Sequence, residues 1–253
     1  CLPIVSVVCR LPAGPRMTPL VCLSLGAGVQ SSALFVMAAL GLKGCPRPDV
    51  AVFADTQDEP SWVYRQVEEL TTFGEAYGLP VARVTAGRLS EETYGHAAGT
   101  RKRRAALPVF TLGKDGDTAM LPRQCTEEYK LAPIRRYCRQ RLGLGPRQAV
   151  PKAAVTMLIG ISFEERDLIK ESQRRWIVNR WPLIDAVMRK HDCEQVLRAH
   201  GVTVPNKSAC IYCPFHDDAT ASLSVAGVPD KFHCFGCGAG GDVIDYVARL
   251  HGV

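Results

Sequence analysis

Cys213-Pro-Phe-His216 and Cys234-Phe-Gly-Cys237 set three thiols and one imidazole in the pattern C-x2-H-x17-C-x2-C. Two short knuckles with this spacing bring four donors within tetrahedral reach of one ion, and soft thiolates with an imidazole suit zinc. A competing set shares one member. Cys210 and Cys213 form their own C-x2-C, which together with Cys125 and Cys193 could hold a metal or an iron–sulfur cluster. Cys213 cannot serve both sites. His233 stands beside Cys234 as a second imidazole, but the spacing favours His216.

The rest of the composition limits what surrounds these donors. The chain has 253 residues, 47% hydrophobic and 22% charged, which describes one or two globular domains rather than a disordered or fibrous chain. Its formal net charge of +6 suits an anionic ligand such as a nucleotide or nucleic acid. Eleven cysteines, the later ones clustered in C-x2-C and C-x2-H pairs with no secretory signal ahead of them, favour thiolate ligands in a reducing cytoplasm over a disulfide framework. No stretch reaches the roughly 20 apolar residues of a membrane span, so the expected location is the cytoplasm, away from any membrane. Residues 1–16 precede Met17 and are read as a leader or fragment edge with no assigned function.

Upstream of the metal pattern, strands alternate with helices. Leu20–Leu25 has strand character, Gly26-Ala-Gly-Val-Gln-Ser-Ser32 makes a glycine-rich turn, and an apolar helix runs from Ala33 to Leu40. Asp49–Asp55 is a second strand, a helix starts near Pro60 and runs to about Tyr77, and Val81–Thr85 is a third strand. The expected fold class is therefore α/β: a Rossmann-like parallel sheet with flanking helices over residues 17–206, its ligand site at the carboxyl ends of the strands, followed by a small metal-binding ribbon over 207–253. Gly26 and Gly28 let backbone approach a phosphate, and Ser31 and Ser32 add hydroxyls at a helix N-terminus. The turn is neither G-x-G-x-x-G, since Ser31 takes the last glycine position, nor a Walker loop.

Ser24-Leu-Gly-Ala-Gly-Val-Gln-Ser-Ser32 resembles the pyrophosphate loop of the adenine-nucleotide alpha-hydrolase group, which includes phosphoadenosine phosphosulfate (PAPS) reductases and ATP pyrophosphatases. Ala54-Asp55-Thr56 is similar to its second-strand motif, and Arg123-Gln-Cys125 with Lys130 and Pro133 to its R-x-C…K-x-x-P segment. Gly160–Arg166 and Asn179–Asp185 resemble two later segments. The resemblance covers roughly residues 20–216. It implies an adenine nucleotide, ATP or PAPS, with Ser24, Gly26, Gly28, Ser31 and Ser32 on its phosphates, Arg123, Lys130 and Arg135 offsetting its charge, and Asp55, Ser32 and Cys125 in catalytic roles. Ala27, Gly28 and Gln30 depart from the usual S-G-G-x-D-S form, and the E-C-G-x-H segment of a PAPS reductase is missing. The bland alternative for the arginines at 135, 136, 139 and 141 is a solvated helix face. For the basic run Arg101–Arg104 it is an exposed loop.

Cys213–Val225 followed by Lys231–Asp245 closely resembles the CHC2 zinc ribbon of bacterial DNA primases. That resemblance implies zinc on Cys213, His216, Cys234 and Cys237, with Ser222–Val225 and Lys231–His233 as antiparallel strands between the knuckles. It also implies contact with single-stranded DNA, for which Lys231, Phe232 and Phe235 offer a cation and aromatic faces unless both rings pack the ribbon's core. Primer synthesis is not expected from this chain alone. It reads either as a fragment or as a ribbon fused to a nucleotide-binding domain through the shared Cys-Pro-Phe-His.

Overall fold

A computed structural model describes residues 19–91, 100, 110–112, 118–120, 126–205, 209–218, 222–227 and 230–252. The chain divides into two compact units, Cys1–Val204 and Pro205–Val253.

The first unit is built on a five-stranded parallel sheet. Its strands are β1 (Leu20–Leu25), β2 (Val50–Asp55), β3 (Val81–Thr85), β6 (Val155–Ile159) and β7 (Ile177–Arg180), ordered β3-β2-β1-β6-β7. Strand side chains alternate between faces, and the sequence fills both faces with apolar groups, as a sheet covered on both sides requires. Leu23, Leu25, Ala51 and Phe53 pack with Leu34 and Phe35 of α1 (Val29–Leu40) and with Val67 and Leu70 of α2 (Ser61–Ala76). On the opposite face Leu20, Cys22, Val50 and Val52 meet Ile134, Tyr137 and Cys138 of α3 (Ala132–Arg141). A short antiparallel pair, β4 (Phe110–Leu112) and β5 (Thr118–Met120), stands apart from the sheet. After β7 come the single turn α4 (Pro182–Asp185) and then α5 (Lys190–Ala199), whose Cys193 and Leu197 join the first of these cores.

Two features fix the ligand-facing edge. Strands β2 and β3 lie on one side of β1, while β6 and β7 lie on the other, so the chain changes direction between β1 and β6. Crevices at such switch points, beyond the carboxyl ends of the strands, are where open α/β sheets bind ligands. Helix α1 begins at Val29 rather than near Ala33, because Gly28 adopts the extended N-cap conformation and Ser32 N–H already donates to Gly28 O at 2.9 Å. The two serines therefore sit in the first helical turn. Ala27, buried, holds a left-handed φ of 54°, a conformation that costs an L-residue about 1–2 kcal/mol.

The second unit is a four-stranded sheet ordered β11-β10-β9-β8. It comprises β8 (Ala209–Ile211), β9 (Leu223–Gly227), β10 (Asp230–Cys234) and β11 (Gly240–Asp242), all antiparallel, closed by α6 (Val243–His251). Its core is small: Leu223, Phe232 and Ala239 with Cys213 and Cys234, flanked by Phe215 and Tyr246. The three rings interlock, with Phe232 and Phe215 centroids 5.2 and 5.3 Å from that of Tyr246. No helix among the described residues is long and apolar enough to cross a membrane.

Candidate metal centre

The sulfurs of Cys213, Cys234 and Cys237 and a ring nitrogen of His216 all lie within 4.8 Å of one another. The knuckle after β8 carries Cys213 and His216. Cys234 ends β10, and the turn that follows it, with Gly238 N–H donating to Cys234 O at 3.0 Å, carries Cys237. Zinc–sulfur bonds of about 2.3 Å in a tetrahedron give sulfur–sulfur edges of about 3.8 Å. The Cys213–Cys237 separation is 3.8 Å, and Cys234 Sγ is 3.8 Å from His216 Nδ1. Three thiols and an imidazole at these distances fit a structural zinc ion with no open position.

The surroundings prepare the donors for that role. Burial opposes ionisation of Cys234, yet the Ser222 hydroxyl at 3.2 Å and the N–H groups of Gly236 and Cys237, each at 3.3 Å, bring its thiol down to about 6. Burial pushes the Cys213 thiol up to about 11, the cost of crowding several thiols where no cation is present.

Asp218 organises the second shell. Its Oδ2 accepts from Cys213 N–H at 2.7 Å and from the Ser222 hydroxyl and N–H at 2.8 and 3.1 Å, tying the two knuckles together. Desolvation works against its ionisation, but these donors and the His216 ring hold its carboxyl below the usual range. Its other oxygen lies 3.6 Å from His216 Nε2, so Nδ1 is left to face the thiols. Gly236 is required by close approach: a Cβ there would lie 2.6 Å from His216 Nε2 and 2.9 Å from Cε1.

Asp218, Ser222 and Gly236 were not singled out by the sequence reading. The only sequence signal for Asp218 is its place two residues after the ligating His216, which acidic surface residues often share. His233 is not a member of the cluster. The two phenylalanines part company: Phe232 is buried in the core, whereas Phe235 is 72% exposed. The side chains of Lys231 and Cys210 lie outside the described set.

The matching family model is described as the CHC2 zinc finger, and it matches residues 180–253. The C-terminal segment is a primase-type CHC2 zinc ribbon. The chain is 38% identical over 82 residues to a DNA primase of Pseudomonas putida, covering 32% of this chain and 11% of that protein. A DNA primase of Helicobacter pylori is 37% identical over 65 residues, covering 25% of this chain and 12% of the relative. One from Mycolicibacterium smegmatis is 49% identical over 41 residues, covering 16% and 6%. The chain thus spans about a tenth of the length of these curated relatives. The family match falls on the ribbon and lends no support to the PAPS reductase resemblance of the first unit.

The other residues singled out in the sequence lie at the sheet edge of the first unit. Ser24 sits in β1 opposite Val52 and Ile159, and Gly26, Gly28, Ser31 and Ser32 form the turn into α1. Ser31 Oγ donates to Gly28 O at 3.2 Å, and Gln30 Nε2 donates to Glu165 Oε2 at 3.1 Å. Asp55, at the end of β2, accepts from Gln57 N–H at 2.7 Å and from the Tyr64 hydroxyl at 3.0 Å. Lys130 pairs with Glu59 at 3.1 Å and Arg135 with Glu127, so both cations already have carboxylate partners. Arg123, Cys125 and the run Arg101–Arg104 lie outside the described residues. Of the alternative cluster ligands, Cys213 belongs to the ribbon cluster and Cys193 is buried in the first unit's core, where burial pushes its thiol up to about 12.

Proposed function

We propose that the second unit is a zinc-stabilised module that contacts single-stranded DNA, with Cys213, His216, Cys234 and Cys237 as the zinc ligands. The observation that carries this reading is the tetrahedral donor geometry of these four residues inside a segment that matches the CHC2 zinc finger. Relatives named as DNA primases support the choice of DNA. The metal is structural. It closes two knuckles whose own core is too small to hold them, and it fixes the outer sheet face on which Phe235 stands clear. The test is fluorescence anisotropy of the zinc-loaded chain with labelled single strands between about 50 and about 200 mM salt. Salt-sensitive binding that disappears when zinc is chelated is the expected result; binding indifferent to zinc would remove the ribbon from the function.

A second reading assigns adenine-nucleotide binding, with ATP or PAPS as ligand, to the first unit. Ser32 favours it: fully buried in the first turn of α1, with its Oγ lacking a hydrogen-bond partner among the described residues. Gly160 adds to this, since a Cβ there would come within 2.8 Å of the Ser31 backbone, so the end of β6 closes directly on the turn at the switch point. Ser24, Gly26, Gly28, Ser31 and Ser32 would hold phosphates in that case. Asp55 and Cys125 would serve the chemistry, and Arg123, Lys130 and Arg135 would supply charge after exchanging partners. Calorimetry with ATP and with PAPS tests it. Micromolar binding that is weakened in Ser32→Ala supports the reading, and no heat with either ligand ends it.

A further inference from the structure

The ribbon sheet has two unlike faces. Phe232 points to one, against Phe215 and Tyr246. On the other, the cross-strand row Ser224–His233–Gly240 opens into a cavity of about 620 Å³ bounded by Phe235, Gly241, Asp242 and Asp245. The His233 and Phe235 rings stand edge to face, with centroids 5.1 Å apart and planes at 83°. Gly240 and Gly241 leave the floor bare. A Cβ at 240 would come within 3.2 Å of His233 Nδ1, and one at 241 would collide with the Asp245 carboxylate.

The two carboxylates form the far wall, and the helix they cap fixes their orientation. Asp242 Oδ1 accepts from Ile244 N–H at 2.8 Å and Asp245 N–H at 3.0 Å, and Asp245 Oδ2 accepts from Asp242 N–H at 2.9 Å. This reciprocal cap uses one oxygen of each residue. The second oxygen of each has no hydrogen-bond partner among the described residues. The cavity therefore offers aromatic faces, a bare glycine floor and acceptors with no donor opposite. A phosphate is repelled there, whereas a flat ring carrying an amino group finds both a stacking partner and an acceptor.

We propose that this cavity receives a single nucleobase of the bound strand, stacked on Phe235 and His233, and selects bases with an exocyclic amine through Asp242 and Asp245. The proposal rests on the reading that the ribbon contacts single-stranded DNA, and it adds which base class is preferred and which residues choose it. Backbone contacts elsewhere give affinity without sequence information; this cavity supplies the discrimination.

The test compares oligo(dC) with oligo(dT), each of about 12 nucleotides, on the zinc-loaded full chain by fluorescence anisotropy. Cytosine offers its N4 amine, whereas thymine presents a carbonyl at the same place, and about a tenfold preference for oligo(dC) is expected. The double variant Asp242→Asn, Asp245→Asn keeps an acceptor for the helix cap but turns an amide donor toward the cavity, and it should abolish the preference. Phe235→Ala, at an exposed position outside the core, should weaken both ligands about tenfold alike, with zinc content unchanged. Equal affinity of the parent protein for the two strands, or a preference that survives the double variant, overturns the cavity's role. No binding of either strand overturns the DNA reading itself and the cavity with it.

Discussion

Buried cysteines occur in both units, and they behave in opposite ways. In the first unit Cys22 of β1 and Cys138 of α3 meet at 3.7 Å in an apolar core, and the hydrogen bond between them and their burial push the Cys22 thiol far up. Burial does the same to Cys45, to about 11. These thiols act as small hydrophobic side chains. In the ribbon, Cys234 is equally buried, yet a hydroxyl and two backbone N–H groups aim at its sulfur and bring it down to about 6. The comparison teaches that burial does not decide a cysteine's role; the donors around the sulfur do.

The same contrast separates how each unit is held together. The first unit covers both faces of a five-stranded sheet with apolar helices and requires no metal for its core. In the ribbon, two of the five buried core residues are themselves metal ligands. Structural zinc contributes on the order of 10 kcal/mol of binding free energy that is also folding free energy. Removing zinc with a chelator should therefore unfold the ribbon while the first unit stays folded. Amide resonances of residues 205–253 should collapse toward random-coil positions while those of 20–204 stay dispersed. Loss of dispersion in both regions would show that the first unit depends on the metal too.

A smaller effect is expected from the second shell. Asp218→Asn should lower zinc affinity about 10- to 100-fold, read by competition with a chromophoric chelator, because the carboxylate that bridges the knuckles and faces His216 Nε2 loses its charge. Unchanged affinity would mean that the backbone alone sets the His216 ring.

The smallest effect belongs to the apolar cysteines. Cys138→Ala should cost the first unit about 1–2 kcal/mol in chemical denaturation and leave zinc content and affinity untouched, since it removes one buried sulfur from a packed core. A loss of metal in that variant would break the division between the two kinds of cysteine.

Much of this was legible in the sequence. The strands expected at 20–25 and 81–85 are β1 and β3, and the four zinc donors came from spacing alone, because two knuckles closed by one ion tolerate few other separations. The split between Phe232 and Phe235 was not legible. It depends on Phe232 facing inward from β10 while Phe235 falls beyond the strand's end. Nor were Gly236 and Asp218, since each matters through one contact with the His216 ring made only after folding. In the first unit, the start of α1 at Val29 was hidden because Gly28 and the following serines read as a loop until the helix's hydrogen bonds exist.

The central claim is that Cys213 belongs to a zinc site with His216, Cys234 and Cys237. Metal analysis with an optical spectrum, on protein purified without air and compared with Cys234→Ser, tests it most directly. The expected result is about one zinc per chain, colourless, and lost in the variant. Iron with broad visible absorption that persists in Cys234→Ser would contradict the account and return Cys213 to a cluster with Cys125, Cys193 and Cys210.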